Sequence, residues 1–226
     1  MRERIEPAGI PSLHRGEEVN KTTTRLVVGI SGATGSVYGV RLLELLQNTG
    51  VETHLVLSKW GARTLIHETA YSVEQVQQMA THCYASEDVG APISSGSFVT
   101  AGMVVCPCSV RSLAAIAHGH GDTLIHRAAD VTLKERRRLV LVVREAPFNE
   151  IHLENMLKLS RMGVVIFPPV PAFYNQPKSI AEIVDQSVMR ILDQFSIHLP
   201  AGKRWDGKMS TGRRACVPKE KTKSAP

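Results

Sequence analysis

Arg25-Leu26-Val27-Val28-Gly29-Ile30-Ser31-Gly32-Ala33-Thr34-Gly35 is the stretch whose reading decides the fold. Its first seven residues are mostly apolar and carry β-branched Val27, Val28 and Ile30, the pattern of a strand buried on both faces. It ends abruptly in Gly-Ala-Thr-Gly. Across residues 36–47, Val37, Val40, Leu43 and Leu46 then recur at helical spacing, and Gly50 suits the position just past a helix end. A second strand is expected at 53–57 and a second helix from about 61 to 68. A strand–helix–strand–helix opening predicts a parallel sheet.

The rest of the chain continues the alternation. Residues 71–97 are less regular: Ser72 can cap a helix over Val73, Val76 and Met79, 80–91 read as a variable loop, and 91–97 form a Pro/Gly/Ser-rich loop. Strands are expected at 103–106, ended by Pro107, at 139–143 and at 164–167. Helices are expected after Ser109, over 122–133, from Asn149 to a stop at Gly163, and after Ser179, where Ile180, Ile183, Val184, Val188, Ile191 and Phe195 make one apolar stripe. Pro168-Pro169-Val170-Pro171 forces a loop. The fold class that follows is α/β: a single doubly wound, Rossmann-like or flavodoxin-like domain at 25–200 with a mostly parallel sheet. Residues 1–24 read as a disordered extension and 201–226 as a tail.

Composition removes several classes. With 43% hydrophobic and 21% charged residues, the chain is an ordinary globular protein. No apolar run approaches the roughly 20 residues of a membrane-spanning helix. The first 24 residues lack a secretory core and carry Glu3, Glu6, Glu17 and Glu18, so the cytoplasm is the expected compartment. Cys106-Pro107-Cys108 fits no zinc or redox spacing, and no neighbouring base supports a thiol nucleophile. His118 and His120 with Asp122 lack further ligands, so no metal is expected. The formal charge of +6 owes much to the tail, and no nucleic-acid module is recognisable, so no nucleic-acid partner is expected.

The unusual residues gather just past predicted strands, where doubly wound folds bind ligands. The Gly29–Gly35 turn lacks the dinucleotide spacing, the P-loop lysine and an acidic residue after the second strand, which ends at Ser58. That favours a mononucleotide over NAD. A phosphate held by the following helix amides and a plain tight turn both stay open here. Ser109, Val110, Arg111 and Ser112 offer a second set of helix-end donors. Arg127, Lys134 and Arg144-Glu145 supply three cations and a carboxylate, suited, if gathered at one site, to a substrate with two phosphates. Arg144-Glu145 directly follows a buried strand, where a charged pair is expensive unless used. Tyr174 and Arg190 offer phosphate contacts, and Trp205 an aromatic face or a hydrophobic anchor.

Four longer segments are more specific: 127–136 (RAADVTLKER), 141–147 (LVVREAP), 151–157 (IHLENML) and 171–177 (PAFYNQP). In this order they resemble the UbiX-type flavin prenyltransferases, within the superfamily of flavin-containing cysteine decarboxylases. Ser160-Arg161-Met162-Gly163 and Arg204-Trp205 resemble the subfamily associated with phenolic-acid decarboxylases. The resemblance implies metal-independent transfer of the dimethylallyl group of dimethylallyl monophosphate to N5 and C6 of reduced FMN, which is a substrate. The product, prenylated FMN, would serve a partner UbiD-type decarboxylase. The resemblance also implies the roles. Gly32, Ala33, Thr34, Ser58, Ser109, Val110, Arg111, Ser112 and Arg144 match FMN contacts. Tyr174, Arg190, Arg127 and Lys134 match the prenyl-phosphate side. Glu145, Glu68, Lys134 and Trp205 match catalytic positions, Trp205 folding over the site from the tail. It implies a homo-dodecamer. The rival readings are an FMN-dependent aromatic-acid decarboxylase and a non-catalytic flavin-binding subunit of a decarboxylase complex.

Overall fold

In the computed structural model, which describes residues 24–200, 204, 205 and 207, the opening stretch is strand β1 (Arg25–Ile30) running into helix α1 (Ser36–Leu46). The turn and the close seating of α1 each have a physical cause. Gly35 has φ 99°, a left-handed conformation that costs a glycine little. Further along α1, a Cβ on Gly39 would stand 2.4 Å from the Cys106 carbonyl oxygen, so the helix lies directly on the sheet backbone.

The sheet has six strands in the order β3-β2-β1-β4-β5-β6. They are β2 (Glu52–Leu57), β3 (His82–Tyr84), β4 (Gly102–Cys108), β5 (Arg138–Val143) and β6 (Val165–Ile166), and every pairing is parallel. The other helices are α2 (Lys59–Glu68), α3 (Val73–Gln78), α4 (Val110–Ala117), α5 (Leu124–Lys134), α6 (Glu150–Arg161) and α7 (Ile180–Asp193). Alternate residues of the central strands feed two cores. Leu26, Val28, Ile30, Val104 and Val142 pack with α1 and α7; Val27, Val105, Leu141 and Val143 pack with α4 and α5. Strand order reverses between β1 and β4, so the crevice of a doubly wound sheet opens past their carboxyl ends.

Several boundaries differ from expectation. β4 continues through Pro107 to Cys108, with a register shift between Val105 and Cys108; the proline sits at that irregularity, where the ladder asks nothing of its missing N–H. α2 starts at Lys59, because Ser58 caps it by accepting from the Gly61 amide. α5 starts at Leu124 behind a Thr123 cap. β6 is two residues long, although the Phe167 amide still reaches the Leu141 carbonyl. β3 was not expected at all: it is three residues within the segment read as a loop. The expected extension 1–24 and tail 201–226 lie almost wholly outside the described residues, Thr24, Arg204, Trp205 and Gly207 being the exceptions.

Candidate active site

Ser31 joins the two loops at the switch point. Its hydroxyl donates to the Pro107 carbonyl at 2.9 Å and accepts from the Ser109 amide at 2.8 Å. Around this tie lies a cavity of about 710 Å³ lined by Gly32, Ala33, Thr34, Ser58, Ser109, Val110, Arg111, Ser112, Arg144 and Glu145. All nine residues matched to FMN contacts therefore border one space. Lys59, Trp60, Thr123 and His126 complete much of the wall. The volume lies within the ordinary range for small-molecule pockets.

The donor set suits an anionic, polar ligand. Ser109 caps α4, accepting from the Ser112 amide at 3.2 Å, so the positive end of α4 faces the cavity. Ser58 places the start of α2 there in the same way. Arg144 adds a full charge. His126, which the motifs did not single out, has Nε2 3.3 Å from the Ser112 hydroxyl, while its buried Nδ1 has no partner. Burial lowers its pKa, with the charges of Arg111 and His120 adding to the shift against Asp122. A neutral ring with an unsatisfied nitrogen on a cavity wall is what a polar ligand would complete.

The Gly29–Gly35 turn leaves a phosphate cradle and a plain tight turn both open, and the protein's own Glu68 occupies two of the α1 amides: its carboxylate accepts from Gly35 N at 2.8 Å and Ser36 N at 2.9 Å. The starts of α4 and α2 border the same cavity. Burial works against the Glu68 charge, yet the Thr34 hydroxyl and the two amides outweigh it and hold the pKa below the usual carboxylate value. One expectation about this region needs correction, that for Arg144-Glu145. Burial ends at Val143; Arg144 is exposed, and Glu145 accepts from the Ala146 amide at 3.0 Å. The pair faces the cavity from a loop, so an unrelieved buried charge is no argument for its use.

The remaining predicted residues lie elsewhere in the chain. Lys134 ends α5, just before β5, whereas Arg144 just follows β5. A six-residue strand spans roughly 20 Å, so the two sit at opposite ends of the sheet. There Lys134 pairs with Glu135 beside Arg136, Arg137 and Arg138. Arg127 pairs with Asp130 at 2.7 Å and does not line the cavity. Tyr174 and Trp205 meet edge to face, with centroids 5.8 Å apart. Arg190 binds Asp193, which also holds His198 and Arg204; burial opposes that carboxylate's charge, but its partners bring its pKa down to about 2. Within one chain the expected constellation is thus divided into the cavity past β1 and β4, a basic corner around Lys134, the Tyr174–Trp205 pair, and Arg190 on Asp193 with Arg204.

Cys106 and Cys108 behave as core, whereas Cys83 is exposed. Cys106 and Cys108 are buried, and burial pushes the Cys108 thiol up to about 12 and the Cys106 thiol higher still. His118 bonds Asn155 at 3.0 Å, linking α4 to α6.

The sequence model of the Flavoprotein family matches residues 14–192. The chain belongs to that family. It is 58% identical over 183 residues to a probable UbiX-like flavin prenyltransferase of Bacillus subtilis, covering 81% of this chain and 90% of that one. It is 54% identical over 197 residues to the mitochondrial flavin prenyltransferase PAD1 of Saccharomyces cerevisiae, covering 84% and 81%. Within the family, it is one of the UbiX-like flavin prenyltransferases. A crystal structure of AnUbiX (PadA1) with FMN and dimethylallyl pyrophosphate superposes with a TM-score of 0.82 at 51% identity, over 83% of this chain and all of that one. A dodecameric FMN-dependent UbiX-like decarboxylase from Escherichia coli O157:H7 superposes at 0.80 with 53% identity, over 81% and all of it. Among the described residues, no helix is long and apolar enough to cross a membrane.

Proposed function

We propose that the protein is a flavin prenyltransferase acting on reduced FMN and a dimethylallyl phosphate. The observation that carries this is the switch-point cavity, where the nine residues expected to hold FMN converge with the Glu145 carboxylate. Reduced FMN supplies the nitrogen and ring carbon, N5 and C6, to which the dimethylallyl group is joined.

The chain's own groups have three tasks. Ser58, Ser109, Arg144 and the α4 amides bind and orient the flavin. Lys134, Arg127, Tyr174 and Arg190 hold the prenyl phosphate; as the allylic C–O bond breaks, cationic donors stabilise the departing phosphate without a metal. Trp205 shields the allyl group from water. Glu145 moves a proton to or from the phosphate, and Glu68, anchored by the Gly35 and Ser36 amides, is the carboxylate near the ring-closing step. Since Lys134 lies at the far end of the sheet from Glu145, these tasks are completed in a homo-oligomer, for which we propose a dodecamer. The product goes to a UbiD-type decarboxylase. The proposed compartment is the cytoplasm.

The test is anaerobic incubation of the purified chain with reduced FMN and either dimethylallyl monophosphate or the pyrophosphate, followed by mass measurement of the flavin. A gain of one prenyl unit with the monophosphate is expected, and Glu145→Gln should slow it while flavin still binds. An unchanged flavin mass with both donors would overturn the reading. Release of CO2 from an aromatic acid by this chain alone would favour the decarboxylase rival.

A further inference from the structure

Glu52, His54 and His82 come together at the end of the sheet away from the cavity. Glu52 and His54 are two apart on β2 and so share a face, while the parallel register sets His82 of β3 opposite His54. Glu52 Oε1 is 3.1 Å from His54 Nε2 and 3.3 Å from His82 Nε2. The three ligand atoms all lie within 4.8 Å of one another.

These separations do not describe a satisfied hydrogen-bond cluster. His54 is 1% exposed, and its Nε2 has no hydrogen-bond partner although the Glu52 oxygen is so close. The oxygen is within reach but off the ring N–H direction, so a hydrogen bond between them is poorly aligned. A tetrahedral zinc ion gives that geometry a reason. With bonds of about 2.0–2.1 Å, it holds neighbouring donor atoms about 3.3 Å apart, each off the other's lone-pair axis.

The surroundings are those of ligands already oriented. His54 Nδ1 is 2.9 Å from the Tyr84 hydroxyl, leaving Nε2 as the nitrogen that faces the cluster. Arg25 Nε lies 3.3 and 3.2 Å from the two Glu52 oxygens. Such outer contacts fix the tautomer and direction of metal ligands. Arg25 also carries a charge that opposes a cation, but it is partly solvated and lies over the Phe98 ring at 4.8 Å. His82 is half exposed, which leaves a path for an ion and a place for water.

We propose that Glu52, His54 and His82 form a site for a divalent transition cation of the zinc type, with water as fourth ligand, that ties the three-residue edge strand β3 to β2. Two imidazoles and one carboxylate suit zinc better than magnesium or calcium, which prefer all-oxygen shells. The site is structural and independent of the prenyl-transfer reading.

The test uses the full chain, stripped with a chelator and titrated with zinc. One zinc per chain is expected, with a rise in Tm. His82→Ala should abolish that equivalent, and Tyr84→Phe should weaken it about 10-fold. Glu52→Gln, close in shape, serves as a second ligand variant, and flavin binding in each variant reports that the fold is intact. No binding at equimolar zinc, or one equivalent that survives both ligand substitutions, would overturn the proposal.

Discussion

Gly39 has no side chain because there is no space for one. Its missing Cβ would stand 2.4 Å from a backbone oxygen of β4 and 3.1 Å from Ile30. Alanine in a helix interior is intrinsically better than glycine by about 1 kcal/mol. Here that gain is opposed by forcing α1 off the sheet, an overpacking cost of typically 1–3 kcal/mol. The backbone oxygen cannot rotate away as a side chain would, so the cost should exceed the gain. Gly39→Ala is therefore expected to lower the denaturant midpoint, by about 1 kcal/mol in stability. It should also loosen flavin binding, since α1 carries the turn that borders the cavity. An unchanged or raised midpoint would mean that the helix has slack the structure does not display.

At the scale of elements, the contact between Glu68 at the end of α2 and the first turn of α1 joins two helices through one carboxylate. Its folded pKa is held below the ordinary carboxylate value, with the amides and Thr34 outweighing burial. A depressed carboxylate contributes stability that is fully present above its unfolded pKa and lost as pH falls through the folded one. Glu68→Gln keeps an acceptor for the amides but removes the charge. The variant should be less stable than the parent near neutrality by roughly 1 kcal/mol or less, because the group is exposed. The gap in Tm should then close as pH drops below the ordinary carboxylate range. A gap that stays constant into acid would place the effect in shape and not in charge.

The same scale explains what was legible in advance. The β1 turn, Ser109, Asn149 and Ser179 announce their elements because strand hydrophobicity and helix caps are local signals, and each cap bond is present. β3 sends no such signal. His82 and Cys83 are exposed, and the strand exists through backbone pairing to β2, which leaves no hydrophobic alternation behind. Missing β3 also hid the Glu52–His54–His82 cluster, whose members meet only through that register. His126 was missed for a related reason: it sits in an apolar helix pattern, and only the packing of α5 against α4 brings it to the cavity wall.

For the whole molecule, the division of the expected site is the main consequence. Motif order brings Lys134 and Arg144-Glu145 within eleven positions of each other in the chain, but β5 lies between them and holds them at opposite ends of the sheet. If both serve one prenyl phosphate, they come from different copies. Closed oligomers repeat one contact around a symmetry axis, so each interface would bring the Lys134 of one copy toward the Glu145 of another. Exposed apolar side chains such as Trp60 and Ile66 on α2, beside the cavity, and Ile151 and Leu157 on α6 are available to such contacts. Complementation decides the matter. Lys134→Ala and Glu145→Gln should each be nearly inactive alone. Chains co-expressed in equal amounts should recover about a quarter of parental activity, since half the copies supply an intact lysine, half an intact glutamate, and the two are drawn independently. A mixture no more active than its separate components would place both residues in one chain's site. That result would require α5 and the loop after β5 to approach each other by a movement far larger than side-chain rearrangement.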